Sequence, residues 1–271
     1  MNQIKALFKS EYLKQKSTYW LPVWIIVGIT VLLLLVALVA AIVRPENIQI
    51  MGLDSQPEYL RIGIYGLMFS FSTIFAMFLA LMAQGSLNKE KQLGSELFFR
   101  CQPVSVWYVT GTKYIMHVYA NSILLVGLGI IFAIVISFVS LFFGMGFYLG
   151  EALFGVLLGW ITYLKAAMVF GSLLFLFSAI FKSNAFMKGA ATLGILEGVF
   201  AIIESIFRHQ INLPNVFATL ASIMGPINLE NIEEINVALV LGDYRVLFGL
   251  LFAIACYATA TFIYSYRAKE A

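Results

Sequence analysis

The sequence predicts an all-α integral membrane protein: six transmembrane helices, an amphipathic interfacial helix at the amino terminus, and a cytoplasmic loop between spans two and three. Three observations predict it. Hydrophobic residues make up 61% of the chain and charged residues only 11%, with a mean hydropathy of +0.92. A soluble domain carries about 25% charged residues, so lipid must be the solvent for most of this surface. Apolar runs long enough to cross a bilayer recur between polar stretches, and Lys and Arg fall unevenly between the two sides of those runs.

The 271 residues read as a single transmembrane domain. Residues 1–19 suit an interfacial helix, because Ile4, Leu7, Phe8, Tyr12 and Leu13 recur at helical spacing while Lys5, Lys9 and Lys16 fall mostly off that stripe. The plainer alternative is a basic tail. The first span covers 20–43, with Pro22 in its opening turn, where a missing N–H costs little. These lysines ahead of an apolar run resemble a secretory signal, but the run exceeds the roughly 7–15 residues of a signal core, so a retained helix is expected.

A polar loop over 44–62 leads to the second span, 63–86. The loop 87–113 is polar and mixed. The third span is 114–143, followed by a turn at Gly144, Gly146 and Gly150. The fourth, 152–181, is long for one crossing. Lys182, Ser183 and Asn184 break it before the fifth, 187–207. An external loop over 208–243 precedes the sixth, 244–266.

Orientation follows from the basic residues. Lys5, Lys9, Lys14, Lys16, Lys89, Lys91, Arg100, Lys113, Lys182, Lys188, Arg267 and Lys269 fall on one side; Arg44, Arg61, Arg208 and Arg245 fall on the other. The richer side is expected to be cytoplasmic. Both termini and the 87–113 loop then face the cytoplasm. The net charge of +3 is too small to point to nucleic acid.

Signs of catalysis are missing from the sequence. It has no GxxxxGK[ST] phosphate loop, no HExxH and no GxSxG. His117 and His209 are expected near opposite membrane faces. Cys101 falls in a loop and Cys256 in a span, so both read as free thiols. An enzyme is not expected, nor a cofactor or metal on this chain.

Charges within spans are costly and suggest function. Three stand out: Lys165, Glu197 and Glu204. Spans four and five should be antiparallel neighbours. Counted from the turn between them, Lys165 is about 24 Å up and Glu204 about 25 Å up, so an ion pair is feasible. Glu197 is about 15 Å up and has no evident partner on the fourth span. The three either line a polar path or latch helices together; the plainer alternative is snorkelling to the interface. Two GxxxG patterns, Gly155 to Gly159 and Gly194 to Gly198, allow close helix approach.

The 87–113 loop is too patterned for a connector. Ser95 to Phe99 is a short amphipathic stretch with Leu97, Phe98 and Phe99 on display, and Pro103 restarts a segment bearing Val104, Trp107 and Tyr108. An apolar helix shown on that side suits a helix-in-groove contact with a soluble partner; alternatively it packs on its own helix ends.

The run Glu90, Gly94, Ser95, Glu96, Leu97, Phe98, Pro103, Val104, Ser105, Gly111 and Lys113 resembles the loop after the second span of ABC-2 type transporter permeases. Phe98-Phe99, where leucines are usual, and Thr112, between the late Gly and Lys, depart from that pattern. The likeness extends along most of the chain. It implies a type V ABC exporter-like subunit, paired with a second permease copy or a paralogue. Two copies of a cytoplasmic ABC ATPase would bind ATP and Mg. Glu90, Gly94, Glu96, Leu97, Phe98 and Pro103 would form the coupling helix against that ATPase, in a bacterial plasma membrane. The exported substrate could be a drug, peptide, lipid, polysaccharide or ion. The rival readings are a secondary transporter or channel, and a membrane scaffold that recruits a cytoplasmic protein. The absence of a mirrored second half weighs against the first rival.

Overall fold

Apolar sequence in lipid has one economical solution, the helix, which satisfies its own backbone. The computed structural model describes residues 2–43, 57–88, 105–142, 146–207, 215–224 and 244–270, and its elements are all helices. They are α1 (Asn2–Val43), α2 (Pro57–Ala83), α3 (Val106–Phe142), α4 (Leu149–Ile180), α5 (Ala185–Ile206), α6 (Val216–Met224) and α7 (Tyr244–Glu270). Among the described residues five stretches are long and apolar enough to cross a bilayer: Leu60–Ala83, Val106–Leu141, Leu149–Ile180, Ala185–Ile206 and Val246–Tyr266. The chain is thus an all-α, multi-pass membrane protein. The expected span over 20–43 falls in α1, where only Leu35 and Val39 are described among the side chains beyond Leu32.

The expected boundary between an interfacial helix and a first span is absent. α1 is one helix of 42 residues, about 63 Å long at the usual rise. Pro22 lies in its middle and is buried. The reason is a single packing face: Glu11, Tyr19, Pro22 and Ile26 are buried and Gln15 half-buried, at three- and four-residue spacing on both sides of the proline. That face meets α2 and α3. Leu13, placed by its spacing on the apolar stripe, is exposed.

Other ends also move. α2 begins at Pro57, so Arg61 is helical and not part of a loop. It forms an ion pair with Glu151 of α4 at 3.8 Å and lies over the Phe154 ring. α3 begins at Val106, well before the expected start at 114. At 37 residues it measures about 55 Å, against a hydrocarbon core of about 30 Å. Gly146 has φ +98, as a turn glycine should, and Asn184 takes a left-handed φ of 51 between α4 and α5.

α4 is the hub. Over an 18-residue stretch of its span 61% of residues are buried, against 6% over the like stretch of α5. α2, α3 and α7 surround it, α1 packs on α2 and α3, and α5 hangs at the periphery. Membrane helices gain little from hydrophobic association, so close contact through small residues must hold them. Gly155 and Gly159 supply it. A Cβ at Gly155 would meet the Arg61 carbonyl and Ile64, and one at Gly159 would meet Met68. Met68 is fully buried and also presses on Gly129 of α3. The second GxxxG pair behaves differently: nothing lies near a Cβ at Gly194 or Gly198.

This contrast is testable. Gly159→Leu forces a branched side chain into Met68 and should destabilise the bundle by about 1–3 kcal/mol or more. Gly198→Leu should change thermal stability in detergent by much less. Equal shifts for the two variants would refute the packing argument.

Candidate functional site

The described residues include a polar cluster at one end of the bundle, where α2 ends and α3 begins. It flanks the stretch of loop over 89–104. The candidate coupling residues Glu90, Gly94, Glu96, Leu97, Phe98 and Pro103 lie outside the described residues, but the roots of their loop do not.

The first root is the carboxyl end of α2. Its last turn winds down through hydrogen bonds from the amides of Gln84, Gly85 and Ser86 to the carbonyls of Ala80, Met82 and Ala83. Helix ends leave carbonyls unpaired. The Ser86 hydroxyl donates to the Ala83 carbonyl at 3.0 Å and sits 3.5 Å from the Ser178 hydroxyl of α4. Lys113 completes the set: its ammonium donates to the Ser86 carbonyl at 3.0 Å, across 27 residues of chain. A cation suits a helix carboxyl end. Lys113 is only 2% exposed, so it is a buried clasp between α2 and α3 and not a solvated loop residue.

The second root is the start of α3. Thr110, Lys113, His117 and Asn121 are all buried and recur at three- and four-residue spacing, forming one polar ridge on an otherwise apolar helix. Thr110 binds Thr261 of α7 at 3.1 Å and Tyr257 at 3.3 Å. Tyr257 in turn donates to the Trp107 carbonyl at 3.1 Å. The His117 ring nitrogen Nδ1 lies 3.4 Å from the Tyr19 hydroxyl of α1. Burial, and secondly the Glu11 charge, push the Tyr19 phenol above its usual range. Asn121 donates to the His117 carbonyl at 3.1 Å and reaches the Met82 sulfur of α2 at 3.8 Å. The ridge therefore ties α1, α2 and α7 to the first turns of α3.

The three intramembrane charges lie on α4 and α5. Lys165 on α4 and Glu204 on α5 are each half-buried and each engaged in an interaction, on helices joined by the short turn over 181–184. Glu197 has found a different partner. Its carboxylate accepts from the backbone amide of Val216 at 2.8 Å. Val216 opens α6, whose preceding residue Asn215 accepts from the Ala218 amide through its own side chain at 2.6 Å. Together they satisfy orphan amides at the start of that helix. α6 itself lies in the stretch expected to be a loop over 208–243. It packs on α4, α5 and α7.

Sequence reasoning passed over the Lys113–Ser86 clasp and the Glu197–Val216 cap. The polar ridge on α3 was visible as a pattern. The two caps were not, since each ends on a backbone atom that any residue would supply.

No family model, curated protein or solved structure significantly matches the chain.

Among the described residues no group of three or more His, Cys, Asp or Glu could hold a metal, and Cys256 is a buried free thiol. The cluster is built from neutral hydrogen-bonding groups and one clasping cation. It suits mechanical anchoring better than bond-making chemistry.

Two substitutions probe it. Lys113→Met removes the donor to a buried carbonyl and should cost about 1–3 kcal/mol, read as a lower melting temperature and as faster hydrogen exchange at the end of α2. Glu197→Leu removes the acceptor at α6 and should cost about 0.5–2 kcal/mol, whereas Glu197→Gln keeps an acceptor oxygen and should cost less. Exchange at the Val216 amide reads this directly: no acceleration in the leucine variant would rule the cap out.

Proposed function

We propose that the chain is the permease subunit of an ABC-2 type, type V-like ABC exporter, coupled through its 87–113 loop to a separate ATPase. The observation that carries this reading is the anchored loop. Its sequence matches the coupling-helix pattern at Gly94, Ser95, Glu96, Pro103, Val104 and Ser105. Its two roots are held by the buried Lys113–Ser86 clasp, and Ser86 also touches α4. A connector with no load would need no such clasp. A loop that receives force from a partner needs both ends fixed to the helices it moves.

In this mechanism Leu97 and Phe98 seat in a groove of the ATPase. ATP and Mg bind the ATPase pair, and closure of that pair displaces the coupling helix. The clasp passes the displacement to the end of α2 and the start of α3 together. Packing of α2 on α4 through Gly155 and Gly159 carries it to the hub. The permease acts with a second copy or a paralogue, with both termini in the cytoplasm of a bacterial cell, as the placement of Lys and Arg favours. No residue of this chain performs chemistry in this scheme.

A gradient-driven transporter or channel would need its own ion site in the spans. Glu197, one of three candidate charges for that role, is engaged in capping α6. This favours the ATP-driven reading over that rival.

The test is association with a P-loop ATPase encoded beside this chain. The native pair should co-purify from membranes. Leu97→Asp combined with Phe98→Asp should abolish association while leaving the permease folded, as judged by an unchanged melting temperature. Retained binding in that double variant would overturn the coupling-helix assignment.

A further inference from the structure

The Glu197 cap has a consequence beyond the helix it holds. α6 begins beside Glu197, about midway along α5, and packs against α4 and α5. It therefore runs back along the first half of α5. Between α4, α5 and α6 this leaves a cavity of about 410 Å³, within the roughly 300–1,000 Å³ of small-molecule sites.

The lining is of one chemical kind. The described residues around the cavity are all Val, Phe, Leu or Ala. Phe170 and Phe177 project from α4, Phe186 and Leu193 from α5, Phe217 and Leu220 from α6. No polar side chain among them offers a hydrogen bond, so the cavity suits neither water, which needs two to four polar partners, nor a polar solute. Two of its walls, α4 and α5, are candidate membrane spans, and only 6% of residues are buried over an 18-residue stretch of α5. α5 is thus the wall that the rest of the described fold covers least. Along an apolar span so little covered, the surrounding medium in a bilayer is hydrocarbon.

We propose that this cavity holds one acyl chain of a bilayer phospholipid, and that the Glu197 cap keeps α6 in place as its inner wall. The chain lies among the four phenylalanine rings, and its headgroup stays outside the described lining. The site is independent of a transport role. Occupancy needs neither ATP nor a partner subunit, so its failure would leave the coupling-helix reading standing, and the reverse holds too.

The experiment uses the full chain in phosphatidylcholine–phosphatidylglycerol vesicles. A phosphatidylcholine carrying a photoreactive diazirine in mid-chain is added, and crosslinks are mapped by mass spectrometry. Adducts are expected on Phe170, Leu173, Phe217 or Leu220 at several-fold the yield per residue found at Ile123 and Ile131, which are exposed on α3. Ala190→Phe with Ala221→Phe fills the cavity and should cut those adducts several-fold while α3 labelling holds. Glu197→Leu should lower them too. Cavity labelling no greater than that of α3 overturns the proposal. So does labelling unchanged in the filled variant. Should the filled variant also lose its α3 labelling, its fold has changed, and the native-protein comparison decides.

Discussion

A helix that ends inside a membrane protein has backbone groups that water cannot reach, and each must find a partner. Two charged side chains meet that need here with opposite signs. Lys113 donates a hydrogen bond to a carbonyl at the carboxyl end of α2, and Glu197 accepts one from an amide at the amino end of α6. Each charge faces the helix terminus whose dipole favours it. The arrangement explains why costly ionic groups stand in an apolar chain. They complete helices whose ends fall within the fold, and so fix where those helices stop.

The remaining order comes from shape. α4 is the most buried of the candidate spans, and its contact with α2 depends on glycines that let Met68 and the Arg61 backbone come close. Since lipid tails are as apolar as the side chains, this close approach, with its dispersion contacts, replaces the hydrophobic effect as the binding force. α5 follows a different rule. One close contact with α4 is Gly189 against Phe177, near their connecting turn. Further along, the cavity walled by α6 lies between the two helices. One end of the molecule is clasped, and one flank is open.

Five candidate spans, overlapping the expected 63–86, 114–143, 152–181, 187–207 and 244–266, were legible in the sequence because hydropathy and length are what a bilayer selects. Helix ends were less so. Polar residues such as Thr110 and Lys113 lower the hydropathy of the first turns of α3, so its expected start fell at 114 and not at Val106. α6 has nine residues, too few to register as a span, and vanished into an intermediate loop. In α1 the visible stripe of Ile4, Leu7 and Phe8 suggested a lipid-facing helix. The buried face is instead partly polar, through Glu11, Gln15 and Tyr19, because its neighbour α3 presents His117 there. Composition alone does not reveal a face whose polarity matches that of a partner helix. The Glu197 cap was out of reach for the same reason: its partner is a backbone amide, brought close only by the fold.

At the clasped end Ser86 touches both Lys113 and Ser178, so α2, α3 and α4 share a single anchor. α7 joins them through Thr261 and Tyr257. Hydrogen bonds at this one end thus join four helices. α5 and α6 are tied to each other by Glu197, and both pack on α4. The side chain of Phe177 both meets Gly189 of α5 and lines the cavity, so the α4–α5 contact and the cavity wall share one ring.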